Sequence, residues 1–102
     1  MTYADRFKER VCIVTGSSAG IGFAIAKRFA LEGGKVVISS RKEDKVNEAV
    51  LEIIQAIKTE CNDNSGASRV IGVACHVGKA TDRENLVKKT VVRFYLNMEF
   101  SF

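Results

Sequence analysis

The most informative stretch of this chain is Thr15-Gly16-Ser17-Ser18-Ala19-Gly20-Ile21-Gly22. A short, almost wholly apolar segment at 11–15 precedes it and predicts a strand that is buried on both faces. An amphipathic segment follows and predicts a helix from about residue 20 to residue 31. Glycines at such a junction let the backbone approach a pyrophosphate closely, and the helix N-terminus offers free N–H groups. The stretch therefore predicts a phosphate-binding loop, with an ordinary glycine-rich turn as the alternative.

The rest of the chain alternates between predicted strands and helices. Strands are predicted at 35–40 and 70–75, and helices at 44–60 and 82–94, with a polar loop at 61–68. A capping box at Thr81–Glu84 is expected to begin the last helix. In the first helix, one apolar face is formed by Ile21, Ala24, Ile25 and Phe29. The order β-α-β-α-β-α predicts an α/β fold with a parallel three-stranded sheet, the N-terminal half of a doubly wound Rossmann fold.

Composition limits the function classes. The chain has 102 residues, enough for one small domain, and a net charge of +4 whose basic residues are interleaved with acidic ones, which disfavours nucleic-acid binding. Neither a signal-peptide core nor a bilayer-spanning stretch is present. The three cysteines, Cys12, Cys61 and Cys75, form no C-x-x-C pair and favour a reducing compartment over a disulfide framework or a metal site. We expect an intracellular, cytoplasmic chain without a metal.

The residues at the end of the second predicted strand indicate whether the cofactor is NAD(H) or NADP(H). Rossmann domains that prefer NAD place an acidic residue there, which accepts from the ribose 2′-OH and repels a 2′-phosphate. This chain reads Ser39-Ser40-Arg41-Lys42 instead. The Arg41 guanidinium can bind a phosphate through two N–H groups, and Ser40 can add a hydroxyl. The sequence predicts NADP(H), with a solvated surface role for Arg41 as the alternative.

The glycine stretch resembles that of the short-chain dehydrogenase/reductase family, whose motif T-G-x-x-x-G-x-G is matched by Thr15, Gly16, Gly20 and Gly22. Within that family the chain is most similar to NADPH-dependent carbonyl (retinal) reductases of peroxisomal type, on the segments 20–26, 36–42 and 75–80. The similarity extends over about residues 5–94. It implies an NADP(H)-binding half-domain at 1–94, followed by a divergent apolar tail at 95–102.

Further site residues follow from this resemblance. The family commonly has Asp-Val after the third strand, in contact with the adenine, and His76-Val77 occupy those places here. From the sequence alone, a single histidine at a strand end is more often a local hydrogen-bonding group than a catalyst. The complete set of expected cofactor-binding residues is Gly16, Ser17, Ser18, Gly20, Ile21, Gly22, Ser40, Arg41, Lys42, His76 and Val77.

The family's catalytic residues have no counterpart in this sequence. They are a serine, an asparagine and a Tyr-x-x-x-Lys pair, whereas Tyr3 and Tyr95 are followed four residues later by Phe7 and Glu99. We therefore expect no catalytic residue here, and a carbonyl substrate only for a full-length relative. A non-catalytic fragment that binds a dinucleotide or a partner and a non-functional truncated product are the alternatives. The peroxisomal C-terminal tripeptide of the resembled subgroup is also absent.

The predicted first strand has a further consequence. In a doubly wound sheet it lies at the centre, and a fourth strand pairs beside it. The sequence after residue 94 offers no such strand of the family type, so residues 11–15 are expected to present an open edge that favours self-association. The alternation of Leu96, Met98, Phe100 and Phe102 could instead supply an improvised edge strand.

Overall fold

The computed structural model describes residues 5–96, and the side chain of Leu96 is not described. The elements, in chain order, are β1 (Val11–Thr15), α1 (Gly20–Leu31), β2 (Lys35–Ser40), α2 (Glu43–Cys61), α3 (Gly66–Arg69), β3 (Val70–Ala74), α4 (Ala80–Val91) and a π-helical segment (Val92–Leu96). The predicted α/β class and the alternation of strands and helices are confirmed. The expected domain boundary after residue 94 falls inside the π-helical segment, and residues 97–102 of the tail, with their predicted edge strand, lie outside the described residues.

The three strands form one parallel sheet in the order β1-β2-β3, as predicted. Alternate residues of β2 supply two separate apolar layers. Ile38 packs with α1 and α2 on one face of the sheet, whereas Val37 packs with Leu86 of α4 on the other. Burial of both faces explains why β2 is a continuous apolar run.

Strand β1 is less buried than its sequence predicts. Ile13 is 37% exposed, because β1 pairs with β2 on one side and with no described strand on the other. The apolar composition of β1 is that of a central strand, and within the described sheet β1 lies at an edge.

Helix α1 buries a different face from the apolar one identified in the sequence. Ala26 and Ala30 are fully buried against the sheet, whereas Ile21 and Ile25 are 81% and 55% exposed. The small alanine side chains allow the helix to approach the sheet closely, and of the predicted face Ile21 and Ile25 are turned outward, whereas Phe29 packs against the core. They line an open groove with Phe7, whose ring stacks on Phe29 at a centroid distance of 4.5 Å.

The predicted capping box of α4 is wrong. The helix begins at Ala80, before Thr81, and its N-cap residue Lys79 makes no side-chain capping bond. The Asp82 carboxylate instead accepts a hydrogen bond from the His76 backbone N–H at 2.9 Å. The predicted loop at 61–68 also differs, because its last residues begin the short helix α3.

One arginine joins α3 to the end of α1. The Arg69 guanidinium donates to the carbonyl oxygens of Ala30 and Gly34 at 2.9 and 2.8 Å, and it pairs with Asp63 at 3.2 Å. These bonds tie α3 to the last turn of α1 and to the residue that directly precedes β2.

The buried carboxylate of Glu32 anchors the N-terminal turn to α1. Arg6 donates to its two oxygens at 2.7 and 2.8 Å, and Arg28 donates to Oε2 at 3.0 Å. The hydrogen bond from Arg6 is the main cause that lowers the pKa of Glu32 from 4.5 to about 2; burial acts in the opposite direction.

We expect Glu32→Gln to remove part of the acid sensitivity of this fold. Because the folded-state pKa lies below the unfolded value, the ionised carboxylate stabilises the fold above about pH 4.5, and this stabilisation is lost as the pH falls toward 2. Urea unfolding at pH 6 and pH 3 should therefore show a smaller drop in the variant than in the unmodified chain. Glu48→Gln, at an exposed carboxylate 3.6 Å from Lys45, is the control and should leave the drop unchanged. Equal drops in all three chains would contradict the assignment.

Candidate functional site

A cleft of about 430 Å³ opens at the carboxyl ends of the strands. Its lining residues are Thr15, Gly16, Ser18, Ser40, Arg41, Lys42, Cys75 and Val77. They follow or end all three strands, which is the edge where open α/β sheets bind ligands. The fold thus brings together three segments that are more than 20 positions apart in the chain.

The glycine loop forms one wall of the cleft. Gly16 and Gly20 have φ angles of +63° and +65°, in the left-handed region that side-chain-bearing residues rarely adopt. A Cβ atom at either position would meet no heavy atom within 4 Å, so the space in front of the loop is open. Gly22 differs, because a Cβ there would lie 2.7 Å from the Gly16 carbonyl oxygen. The absence of a side chain at Gly22 therefore lets α1 pack against the loop.

The N-terminus of α1 points its amides toward this loop. Its N-cap residue, Ala19, has extended backbone angles and makes no side-chain capping bond. The first backbone N–H groups of the helix are consequently not taken up by a capping side chain and can donate to an anion.

Two cations stand at the opposite wall, directly after β2. Arg41 and Lys42 are both exposed, and neither forms an ion pair with any residue in the range 5–96. The Ser40 hydroxyl makes a long hydrogen bond of 3.5 Å to the Lys42 carbonyl oxygen. The cleft therefore presents two unpaired positive charges beside a weakly engaged hydroxyl, a combination suited to a phosphate.

The third wall is the loop after β3, which α4 holds in place. The His76 Nδ1 atom accepts from the Gly78 N–H at 3.0 Å, and Arg83 donates to the Val77 carbonyl oxygen at 2.6 Å. Together with the bond between Asp82 and His76, these contacts fix Val77 at the cleft. His76 acts in local hydrogen bonding in this arrangement and does not line the cleft.

The predicted site residues fall into two groups. Gly16, Ser18, Ser40, Arg41, Lys42 and Val77 line the cleft, whereas Ser17, Gly20, Ile21, Gly22 and His76 do not. Ser17 is fully buried beneath the loop, and Ile21 projects into solvent. Thr15 and Cys75 also line the cleft and were not in the predicted set, although each directly adjoins a predicted residue. The supporting residues Asp82 and Arg83 were missed because their sequence pattern indicated a helix cap.

Residues 5–96 were also compared with the requirements of a metal site, a reactive cysteine and a membrane-spanning helix. That range contains no cluster of His, Cys, Asp and Glu side chains suited to a metal ion. The three cysteines are free, and burial raises the pKa of the Cys12 and Cys61 thiols, which disfavours the reactive thiolate. None of the described helices combines the length and apolarity needed to cross a bilayer.

The parallel sheet and the glycine loop define the first half of a Rossmann-type α/β domain. Residues 10–97 match the family model described as short chain dehydrogenase, and the chain belongs to that family. It is 50% identical over 83 residues to the human dehydrogenase/reductase SDR family member 2, mitochondrial, and 46% identical over 91 residues to human SDR family member 4. These matches cover 81% and 89% of this chain but 26% and 29% of the relatives, so the chain spans less than a third of their length.

A solved structure supports the same placement. The NADP-bound C-domain of a bacterial malonyl-CoA reductase superposes with a TM-score of 0.81 at 29% identity. The match covers 86% of this chain and 13% of that protein.

Proposed function

We propose that this chain is the NADP(H)-binding portion of a short-chain dehydrogenase/reductase. The observation that carries this proposal is the pair Arg41 and Lys42, which face the glycine loop across one cleft without an acidic partner among the described residues. An acid at the end of β2 would disfavour a 2′-phosphate, and the residues present there are Ser40, Arg41 and Lys42.

The residues of the cleft fit such a dinucleotide. The open space in front of Gly16 and Gly20, together with the uncapped amides of α1, suits a pyrophosphate. Arg41, Lys42 and the Ser40 hydroxyl suit the 2′-phosphate, and Cys75 and Val77 offer an apolar wall for the adenine. When bound, the nicotinamide supplies the hydride in the chemistry of the family. The NADP named for the malonyl-CoA reductase domain supports the same cofactor for this chain.

The activity of a complete protein is a further proposal. The resemblance supports reduction of a ketone or aldehyde, of the carbonyl or retinal type. The 102-residue chain would serve as the cofactor-binding portion, and cytoplasmic placement stays a prediction from the sequence.

Arg41→Ala should weaken NADPH binding by about 10–150-fold, because a hydrogen bond to a charged group contributes about 1.5–3 kcal/mol. NADH carries no 2′-phosphate, and its affinity should stay within about 2-fold. Calorimetric titration of the unmodified chain and the variant with both cofactors measures the two effects. Arg10→Ala provides a matched control, since Arg10 is exposed and precedes β1 at the other end of the sheet. An unmodified chain that binds NADH as tightly as NADPH would overturn the proposal.

The open edge of β1 favours a second, separate property: self-association. Ile13 is 37% exposed on a strand that has a partner on only one side within residues 5–96, and unpaired edges are templates for pairing with another chain. Ile13→Lys should shift the purified chain toward the monomer in size-exclusion chromatography. Leu51→Lys, at a 67% exposed position on α2, is the control for added charge and should have no such effect. A monomeric unmodified chain at high concentration would contradict this property.

A further inference from the structure

The side chain of Ser17 turns away from the cleft between two residues that line it. Gly16 and Ser18 both border the cleft, whereas Ser17 is completely buried. Its hydroxyl donates to the Val14 carbonyl oxygen at 2.5 Å and accepts from the Ser39 N–H at 2.9 Å. The single hydroxyl proton of Ser17 is thus engaged inside the protein, so this side chain is not offered to a ligand.

The backbone of Ser17 reinforces the same connection. Its N–H donates to the Ser39 carbonyl oxygen at 3.0 Å, which continues the pairing of Thr15 with Ser39 beyond the end of β1. Both backbone groups of Ser39 are therefore bonded to Ser17. The buried Ser39 hydroxyl has no hydrogen-bond partner within the described part of the chain, so on this side the bonds to Ser17 add to the strand pairing of Ser39 with Thr15.

These bonds join the two walls of the cleft. Ser17 belongs to the glycine loop, and Ser39 directly precedes Ser40, Arg41 and Lys42. We propose that Ser17 is a positioning residue that sets the spacing between the pyrophosphate loop and the 2′-phosphate-binding segment, and thereby the preference for NADPH over NADH. The inference rests on the proposed function, and it assigns Ser17 a role without contact to the cofactor.

The two cofactors should depend on this spacing to different degrees. In this arrangement NADPH places its pyrophosphate at the glycine loop and its 2′-phosphate at the opposite wall, so its affinity depends on the walls being held at a fixed separation before binding. NADH places phosphate at the glycine loop alone. Release of the β2 end from the loop should therefore weaken NADPH binding more than NADH binding.

A thermodynamic cycle between Ser17 and Arg41 tests the inference. We expect Ser17→Ala to weaken NADPH binding about 10-fold and NADH binding less than about 2-fold in calorimetric titrations. When Arg41 is already alanine, Ser17→Ala should cause almost no further loss of NADPH affinity, because the guanidinium that Ser17 positions is then absent. Ser18→Ala is the matched control; Ser18 borders the cleft within the glycine loop, and loss of its hydroxyl should affect the binding of both cofactors equally.

A second variant and a cofactor-free measurement keep the test decisive if Ser17→Ala folds poorly. Ser17→Cys nearly preserves volume and keeps a weak donor and acceptor, so its loss of NADPH affinity should be intermediate. Amide hydrogen exchange in the free chain should be faster at Ser39, whose N–H donates to the Ser17 hydroxyl, in either variant than in the unmodified chain. Unchanged amide exchange at Ser39, or an unchanged NADPH preference in folded variants, would overturn the positioning role of Ser17 and leave the proposed function standing. Absence of an NADPH preference in the unmodified chain would overturn the proposed function instead.

Discussion

Gly22→Ala should reduce NADPH and NADH binding by about 100-fold or more and lower the melting temperature of the chain. A Cβ at this position would lie 2.7 Å from the Gly16 carbonyl oxygen and 3.1 Å from the Ser17 Cα, and both are backbone atoms. The loop and α1 must therefore separate. Loss of two hydrogen bonds from backbone N–H groups to the pyrophosphate, at about 1.5 kcal/mol each, corresponds to the expected change in affinity.

The direction of the stability effect makes this test specific. Alanine has a higher helix propensity than glycine by about 0.8–1.0 kcal/mol, so propensity alone predicts a more stable chain. Ala24→Gly, on the outer face of the same helix, is the matched control. It should lower stability by about 1 kcal/mol while leaving cofactor affinity unchanged. Calorimetric titration and thermal melting of both variants measure these outcomes, and an unaffected affinity in Gly22→Ala would refute the packing argument.

The purified 102-residue chain should not oxidise NADPH in the presence of retinal or a diketone above the rate in buffer. Proton transfer to the carbonyl oxygen needs a donor within hydrogen-bond reach, and the sequence contains no Tyr-x-x-x-Lys pair. Tyr95 is 51% exposed and borders a groove with Val11, at the end of β1 opposite to the cleft. We therefore do not expect Tyr95 to replace the family's tyrosine.

Absorbance at 340 nm, the ordinary signal of reduced nicotinamide, measures this rate with a full-length relative as positive control. Tyr95→Phe is an internal control and should leave the background rate unchanged. Oxidation that exceeds the buffer rate and rises with the concentration of the chain would contradict the prediction. Binding without turnover is the result that we expect from a cofactor-binding portion.

The sequence predicts the strands and the glycine loop well because their determinants are local. Apolar runs such as 36–38 fill both faces of a sheet, and the turn at Gly16 and Gly20 requires backbone angles that glycine supplies. The choice of Arg41 and Lys42 as cleft residues has the same basis, since their position directly after β2 determines which edge of the sheet they occupy.

The predictions from sequence fail where tertiary contacts determine which side chains are buried and where a helix begins. Apolar character alone predicts that the face of α1 with Ile21 and Ile25 is buried. In the structure Ala26 and Ala30 face the sheet instead, because their small side chains let the helix pack close to it. Thr81 and Glu84 have the spacing of a capping box, yet the loop after β3 engages Asp82 and begins the helix earlier. Ser17 occupies a variable position of the glycine motif, and the inward orientation of its side chain depends on Ser39, 22 positions away.

The parallel register of the sheet governs the order in which this chain can fold. Every strand pair is remote in sequence, since Val11 pairs with Lys35 and Val36 with Val70. No hairpin can nucleate such a sheet, and loop-closure entropy must be overcome before the first strand–strand contact stabilises anything. During synthesis on a ribosome, β1, α1 and β2 emerge first, and their apolar residues stay partly exposed until α2, β3 and α4 follow. We therefore expect the same topology that assembles the cleft to slow the folding of the nascent chain and to leave it open to aggregation during synthesis.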